Sequence, residues 1–155
     1  MTGARAFLIE RGVRQLSAIL RQHHIQPSAQ RLAVASYVLD TEDHPSADQV
    51  FVRVRRGHPG ISRATVYNTL NRFVREGLLR TLVLSGGRVV FDPNVEPHHH
   101  FIDDATGRIH DVPWDALRVS RVDALPGVDV REYQVVLRGR RHAARGRTPG
   151  RPSRS

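Results

Sequence analysis

Gly60-Ile61-Ser62-Arg63-Ala64-Thr65-Val66-Tyr67-Asn68-Thr69-Leu70-Asn71-Arg72-Phe73-Val74-Arg75-Glu76-Gly77 is the most informative run of residues in the chain. Ser62 is a good N-cap and Gly77 a good stop, so the spacing predicts a helix from Ser62 to about Glu76. Val66, Leu70, Phe73 and Val74 fall on one side of it, as a buried stripe requires. Arg63, Tyr67, Asn68, Asn71 and Arg75 fall on the other. That polar face suits a DNA major groove. Arg and Asn can bond purine edges in pairs, and an aromatic ring can meet a thymine methyl. Residues in the first turns of such a helix reach the bases, so Arg63, Thr65, Tyr67, Asn68 and Asn71 are the candidate DNA contacts. A solvated amphipathic face would show the same periodicity.

The flanking sequence narrows the reading. Downstream, Leu78 to Leu84 and Arg88 to Phe91 are β-favouring runs joined by Ser85-Gly86-Gly87, a hairpin signature. Upstream, three further helices are expected. The first covers residues 4–22, with Phe7, Leu8, Val13, Leu16, Ile19 and Leu20 at mostly helical spacing. The second opens at Pro27-Ser28 and uses Leu32, Val34, Ala35, Val38 and Leu39. The third follows the break at His44-Pro45, where Ser46-Ala47-Asp48-Gln49 forms a capping box, and continues through Val50 and Val54. Helices followed by a two-stranded hairpin make a winged helix. The expected class is therefore α+β, with a winged helix-turn-helix DNA-binding domain at 1–91 and a hinge at 92–97. A small α/β dimerisation and sensing domain follows at 98–138, and a disordered Arg-rich tail at 139–155. Within 98–138 the expected elements are a strand near His100–Ile102, a turn at Thr106-Gly107 and a strand at Ile109–Val112. A helix around Trp114–Asp123 and a last strand at Val130–Leu137 complete it.

Composition bounds what the chain can do. It has 155 residues and a net charge of +9, and every basic residue among its 24 Lys and Arg is Arg. Seven of those arginines sit in the last eighteen residues, where there is no acid, so most of the excess charge belongs to the tail. Excess Arg suits phosphate partners, though a solvated tail has the same composition. There is no cysteine, which excludes disulfides, thiolate zinc sites and cysteine-based haem motifs. No run of residues approaches the ~20 apolar positions of a membrane helix, and no secretion signal is evident, so a cytoplasmic protein with no membrane partner is expected.

His98-His99-His100 is the second chemical signal. On a strand, alternate side chains share a face, so His98 and His100 point together and His99 points away. Such a pair can hold a metal or a haem iron through neutral imidazole nitrogens, or it can simply be a polar hinge. His44 and Asp92 sit at element boundaries and could complete a site joining the two domains.

These residues together resemble the ferric uptake regulator family. The likeness rests on Gly60–Leu70, Arg31-Leu32, His44-Pro45-Ser46-Ala47-Asp48 and the Phe91-Asp92…His98-His99-His100 stretch. Within the family the chain looks most like the haem-linked iron-response regulators of alphaproteobacteria, through Tyr67-Asn68-Thr69, Phe91-Asp92-x-Asn94-Val95 and the triple histidine. The resemblance covers roughly residues 15–141. It implies a homodimer that binds double-stranded, AT-rich inverted-repeat DNA as a transcriptional regulator of iron homeostasis. It implies a regulatory site for Fe, Mn or Zn on His44, Asp92, His98 and His100, and haem binding at His98, His99 and His100.

The chain also departs from the family. Many members hold a structural zinc on paired Cys-x-x-Cys motifs. Here the first pair is replaced by Asp103 and Thr106, so no structural zinc on four cysteines is expected. The position of a late family histidine is Tyr133. Two other readings remain. One is a regulator of the same family sensing peroxide, manganese or zinc. The other is a metallohydrolase using the histidines with Asp103 or Asp104. It lacks a motif that sets a base beside a metal-bound water, so no enzyme activity is expected.

Overall fold

The computed structural model describes the backbone of residues 2–142 and the side chains from residue 12 onward. Phe7 and Leu8 of the expected first stripe, and residues 143–155 of the expected tail, lie outside the described side chains. The chain divides into two compact units, with the break between Glu96 and Pro97.

The first unit is a winged helix. Helix α1 spans Thr2–Gln22, α2 Ala29–Val38, α3 Ala47–Arg55 and α4 Arg63–Arg75. Each of the last three starts on a serine whose hydroxyl accepts a backbone N–H: Ser28 from Arg31, Ser46 from Gln49 and Ser62 from Thr65. At α3 the Gln49 side chain returns the bond to the Ser46 N–H, completing the capping box. Gly77 ends α4 at φ +77°, a conformation that strains any residue with a Cβ. The hairpin follows as β1, Arg80–Val83, and β2, Val89–Asp92, antiparallel with Thr81 opposite Phe91. Leu20, Val34, Val38, Val50, Val66, Leu70 and Phe73 are fully buried in one cluster between the helices. This is the stripe-to-stripe packing that the periodicity of each helix demands.

The second unit is a three-stranded sheet. Strand β3 spans His98–Asp103, β4 Ile109–Pro113 and β5 Val136–Gly139, in the order β4-β3-β5. Strand β4 runs antiparallel to β3, with His100 opposite Asp111, and β5 runs parallel to it, with His100 opposite Val136.

Three expectations fail here. The helix around Trp114–Asp123 does not form; only single turns at Trp114–Ala116 and Val122–Ala124 do, separated by extended chain at Leu117 and a left-handed Arg121 at φ 65°. Arg118-Val119-Ser120 offers no long apolar stripe, and Val119 and Ser120 are weaker helix formers, so little drives the turns to join. The last strand is Val136–Gly139 rather than Val130–Leu137, and it ends one residue into the stretch expected to be disordered. The histidine strand begins at His98, two residues before its expected start.

Candidate functional site

On α4, Tyr67, Asn68 and Asn71 are exposed, and Val66, Leu70 and Phe73 are buried on the far side. The expected reading face is therefore open at these three positions. The other two candidates are engaged within the protein. Arg63 is ion-paired with Asp48 of α3, and its guanidinium lies 4.6 Å from the centre of the Phe51 ring. Thr65 shares a hydrogen bond of 2.9 Å between its hydroxyl and that of Ser62, in the helix cap.

The metal-ligating candidates form two groups, one in each unit. In the first unit the Phe91 N–H donates to the Pro45 carbonyl at 2.9 Å, which ties β2 to the chain entering α3. That contact sets Asp92 beside His44, with His44 Nε2 3.3 Å from Asp92 Oδ2 and both residues buried. The His44 Nδ1–H donates to the Glu42 carbonyl at 3.1 Å. A neutral ring with its proton on Nδ1 turns the Nε2 lone pair toward the carboxylate. Two acceptors so placed call for a cation or a proton between them. His44 also holds φ +48°, an uncommon conformation for a residue with a Cβ and one that concentrates at functional sites.

In the second unit His98 and His100 share one face of β3, with their Nε2 atoms 2.9 Å apart and both rings buried. Asp111 joins them from β4. Its Oδ1 lies 3.7 Å from His98 Nε2 and 4.0 Å from His100 Nε2. Two imidazoles and a carboxylate presented together form the donor set of a divalent first-row metal, and a poor one for sulfur-seeking ions. Sequence reasoning missed Asp111. The signal was the turn at Thr106-Gly107: folding the chain back around it places Asp111 opposite His100, on the same face of the sheet.

His99 is separated from its neighbours. It faces the other side of β3, stacked on Trp114 with ring centres 4.6 Å apart. Its Nδ1 accepts the Val135 N–H at 3.1 Å, which anchors the chain entering β5. Tyr133 completes the aromatic group, 4.7 Å from Trp114.

The Asp103–Thr106 positions do not fit a thiolate zinc, and they are occupied by a hydrogen-bonded turn instead. Asp103 Oδ1 accepts the Ala105 N–H and Oδ2 accepts the Thr106 hydroxyl, both at 3.0 Å. The Ala105 N–H, followed by the Thr106 hydroxyl, the Arg141 N–H and the nearby His110, holds the Asp103 carboxyl below its ordinary value of 3.8, against the opposing effect of desolvation.

No helix among the described residues is long and apolar enough to cross a membrane. The family model of the ferric uptake regulators matches residues 22–137. Over 109 residues the chain is 33% identical to the peroxide-responsive repressor PerR of Staphylococcus aureus (strain Mu50 / ATCC 700699), an alignment covering 70% of this chain and 74% of that protein. Among solved structures, the Vibrio cholerae ferric uptake regulator is similar at a TM-score of 0.65 and 23% identity, over 80% of this chain and 98% of that one. The Pseudomonas aeruginosa ferric uptake regulator with manganese is similar at a TM-score of 0.62 and 21% identity, over 82% and 98%. A winged helix, a histidine-bearing sheet and these matches agree: the chain belongs to the ferric uptake regulator family, and it is a DNA-binding, metal-responsive transcription regulator rather than an enzyme.

Proposed function

We propose that this protein regulates promoters of iron homeostasis from the cytoplasm, binding an AT-rich inverted repeat as a homodimer through Tyr67, Asn68 and Asn71 of each α4. Its affinity for DNA is set by a divalent metal, iron, manganese or zinc, with His44, Asp92, His98 and His100 as the proposed donors. Asp111 is the fifth donor. The observation that carries the reading is the pairing of potential metal-donor atoms in both units: His44 Nε2 with Asp92 Oδ2 at 3.3 Å, and His98 Nε2 with His100 Nε2 at 2.9 Å. A cation held by each pair would stabilise it, and five residues separate Asp92 from His98 in the chain. A bound ion supplies positive charge that holds these donors together. It changes DNA affinity only as far as it binds one arrangement of the protein better than another.

Haem is the proposed competing occupant, on His98 and His100. The expectation that His99 joins them is set aside, because its Nδ1 and its ring face are committed to Val135 and Trp114. Likeness to a peroxide-responsive repressor supports a second reading, in which the same iron site senses peroxide.

Anaerobic DNA-binding titrations separate the readings. Iron(II) and manganese(II) should each tighten binding to an inverted-repeat duplex, and haem should then release it. His98→Ala with His100→Ala should abolish both responses while leaving His99 and the sheet intact. Release by peroxide with iron but not with manganese, and no response to haem, would favour the second reading. No response to either metal would overturn the proposal.

A further inference from the structure

The first unit carries a groove of about 510 Å³ between the start of α2 and α4. Its lining includes Ser28, Arg31, Thr65, Asn68, Arg72 and Arg75, and every residue on it is polar or basic. No carboxylate lines it. Arg31 is held by the Gln26 carbonyl at 2.8 Å and Arg72 by the His24 carbonyl at 3.1 Å. Those carbonyls orient the guanidinium groups without neutralising them. Glu76, outside the lining, meets Arg72 Nε at 3.0 Å and Arg75 Nε at 3.9 Å, and offsets part of the charge. The first turn of α2 contains no acid, so the positive end of that helix adds to the same field.

A groove lined by three arginines and by no apolar residue suits a phosphate rather than an organic ring or an acyl chain. Its position identifies the source of that phosphate. Asn68 belongs both to the groove and to the exposed face of α4, and Arg75 lies between the two on the helix. A duplex whose bases meet Tyr67 and Asn71 must carry one backbone alongside that face. We propose that this groove seats the phosphodiester backbone of one DNA strand, with Arg31, Arg72 and Arg75 as phosphate contacts that set the register of the reading helix. The inference rests on the reading of α4 as the helix in the major groove.

The test uses the full chain, with Arg31→Gln and Arg75→Gln alone and together, checked for native fold by circular dichroism. Arg72 is left intact because it also braces the loop at His24. Binding is read by fluorescence anisotropy across a salt series, on a duplex selected from a random library and on an unselected duplex. The double variant should lose the same factor on both duplexes. The slope of log affinity against log salt should become shallower by about 0.9 for each arginine removed. Unchanged affinity and slope, or a loss confined to the selected duplex, would overturn the proposal. Inorganic phosphate at constant ionic strength should not displace DNA; displacement from wild type but not from the double variant would make the groove a free-phosphate site instead. Tyr67→Ala distinguishes failure of the underlying reading. It should weaken the selected duplex only and leave the salt slope unchanged, and equal loss on both duplexes would sink base reading by α4 while leaving the groove result standing.

Discussion

The winged-helix unit closes a continuous apolar core from Leu20 to Phe91, whereas the sheet unit buries only Ile102 and Ile109 among its described apolar residues. Its other large apolar side chains are open: Leu125 is 52% exposed and Val128 59%, with Trp114, Val119 and Leu137 also exposed. Both outer strands of the sheet, β4 and β5, keep a free edge within the described chain. We propose that a second copy covers these side chains, which would make the stability of this unit depend on protein concentration. The contrast matches a division of labour. One unit is closed by its own core, and the other leaves apolar surface that a second copy could cover.

Phe73→Ala should show the largest effect. The ring is fully buried at the centre of the first unit, so its loss should cost about 3–5 kcal/mol in thermal or denaturant unfolding. A cost below about 1 kcal/mol would mean that this core is not the stabilising feature described. Leu125→Asp should leave the winged helix folded but weaken self-association roughly tenfold or more in sedimentation equilibrium, because it places a charge in the exposed apolar surface proposed for the dimer contact. An unchanged dimer would remove this surface from the interface and narrow the comparison to the sheet edges.

Asp103→Asn should have the smallest effect, and its sign follows from the depressed carboxyl. A folded-state value below the ordinary 3.8 means that the ionised group stabilises the fold above that pH, and that this contribution is lost as pH falls through the lower folded value. The variant should therefore lose part of the wild type's decline in stability at the acid end, and differ little in pH dependence near neutrality. If the acid limb of the stability curve is the same in both proteins, the Asp103–Thr106 turn does not stabilise the charged carboxylate.

Much of the first unit was legible because its signals are local. A serine cap, a helical stripe and a terminal glycine lie within a few residues of one another, and α4 emerged where Ser62 and Gly77 put it. His98 and His100 were legible as a pair from strand alternation alone. Asp111 was not, because its place depends on cross-strand register, which is set by a turn five residues away in the chain. The missing helix after Trp114 has a different cause. Trp114 stacks on His99 and meets Tyr133 at a tilt, and tertiary contact of that kind leaves no periodicity to read. The engagement of Arg63 with Asp48 was likewise hidden, since they lie fifteen positions apart and each taken alone reads as a solvated charge.

The proposed donor set is tested most directly by manganese(II) titration in calorimetry. Asp92→Ala and His100→Ala should each weaken manganese binding by roughly ten- to a hundredfold or more, the scale seen when a metal site loses even a supporting group. Wild-type affinity and stoichiometry in both variants would contradict this donor set.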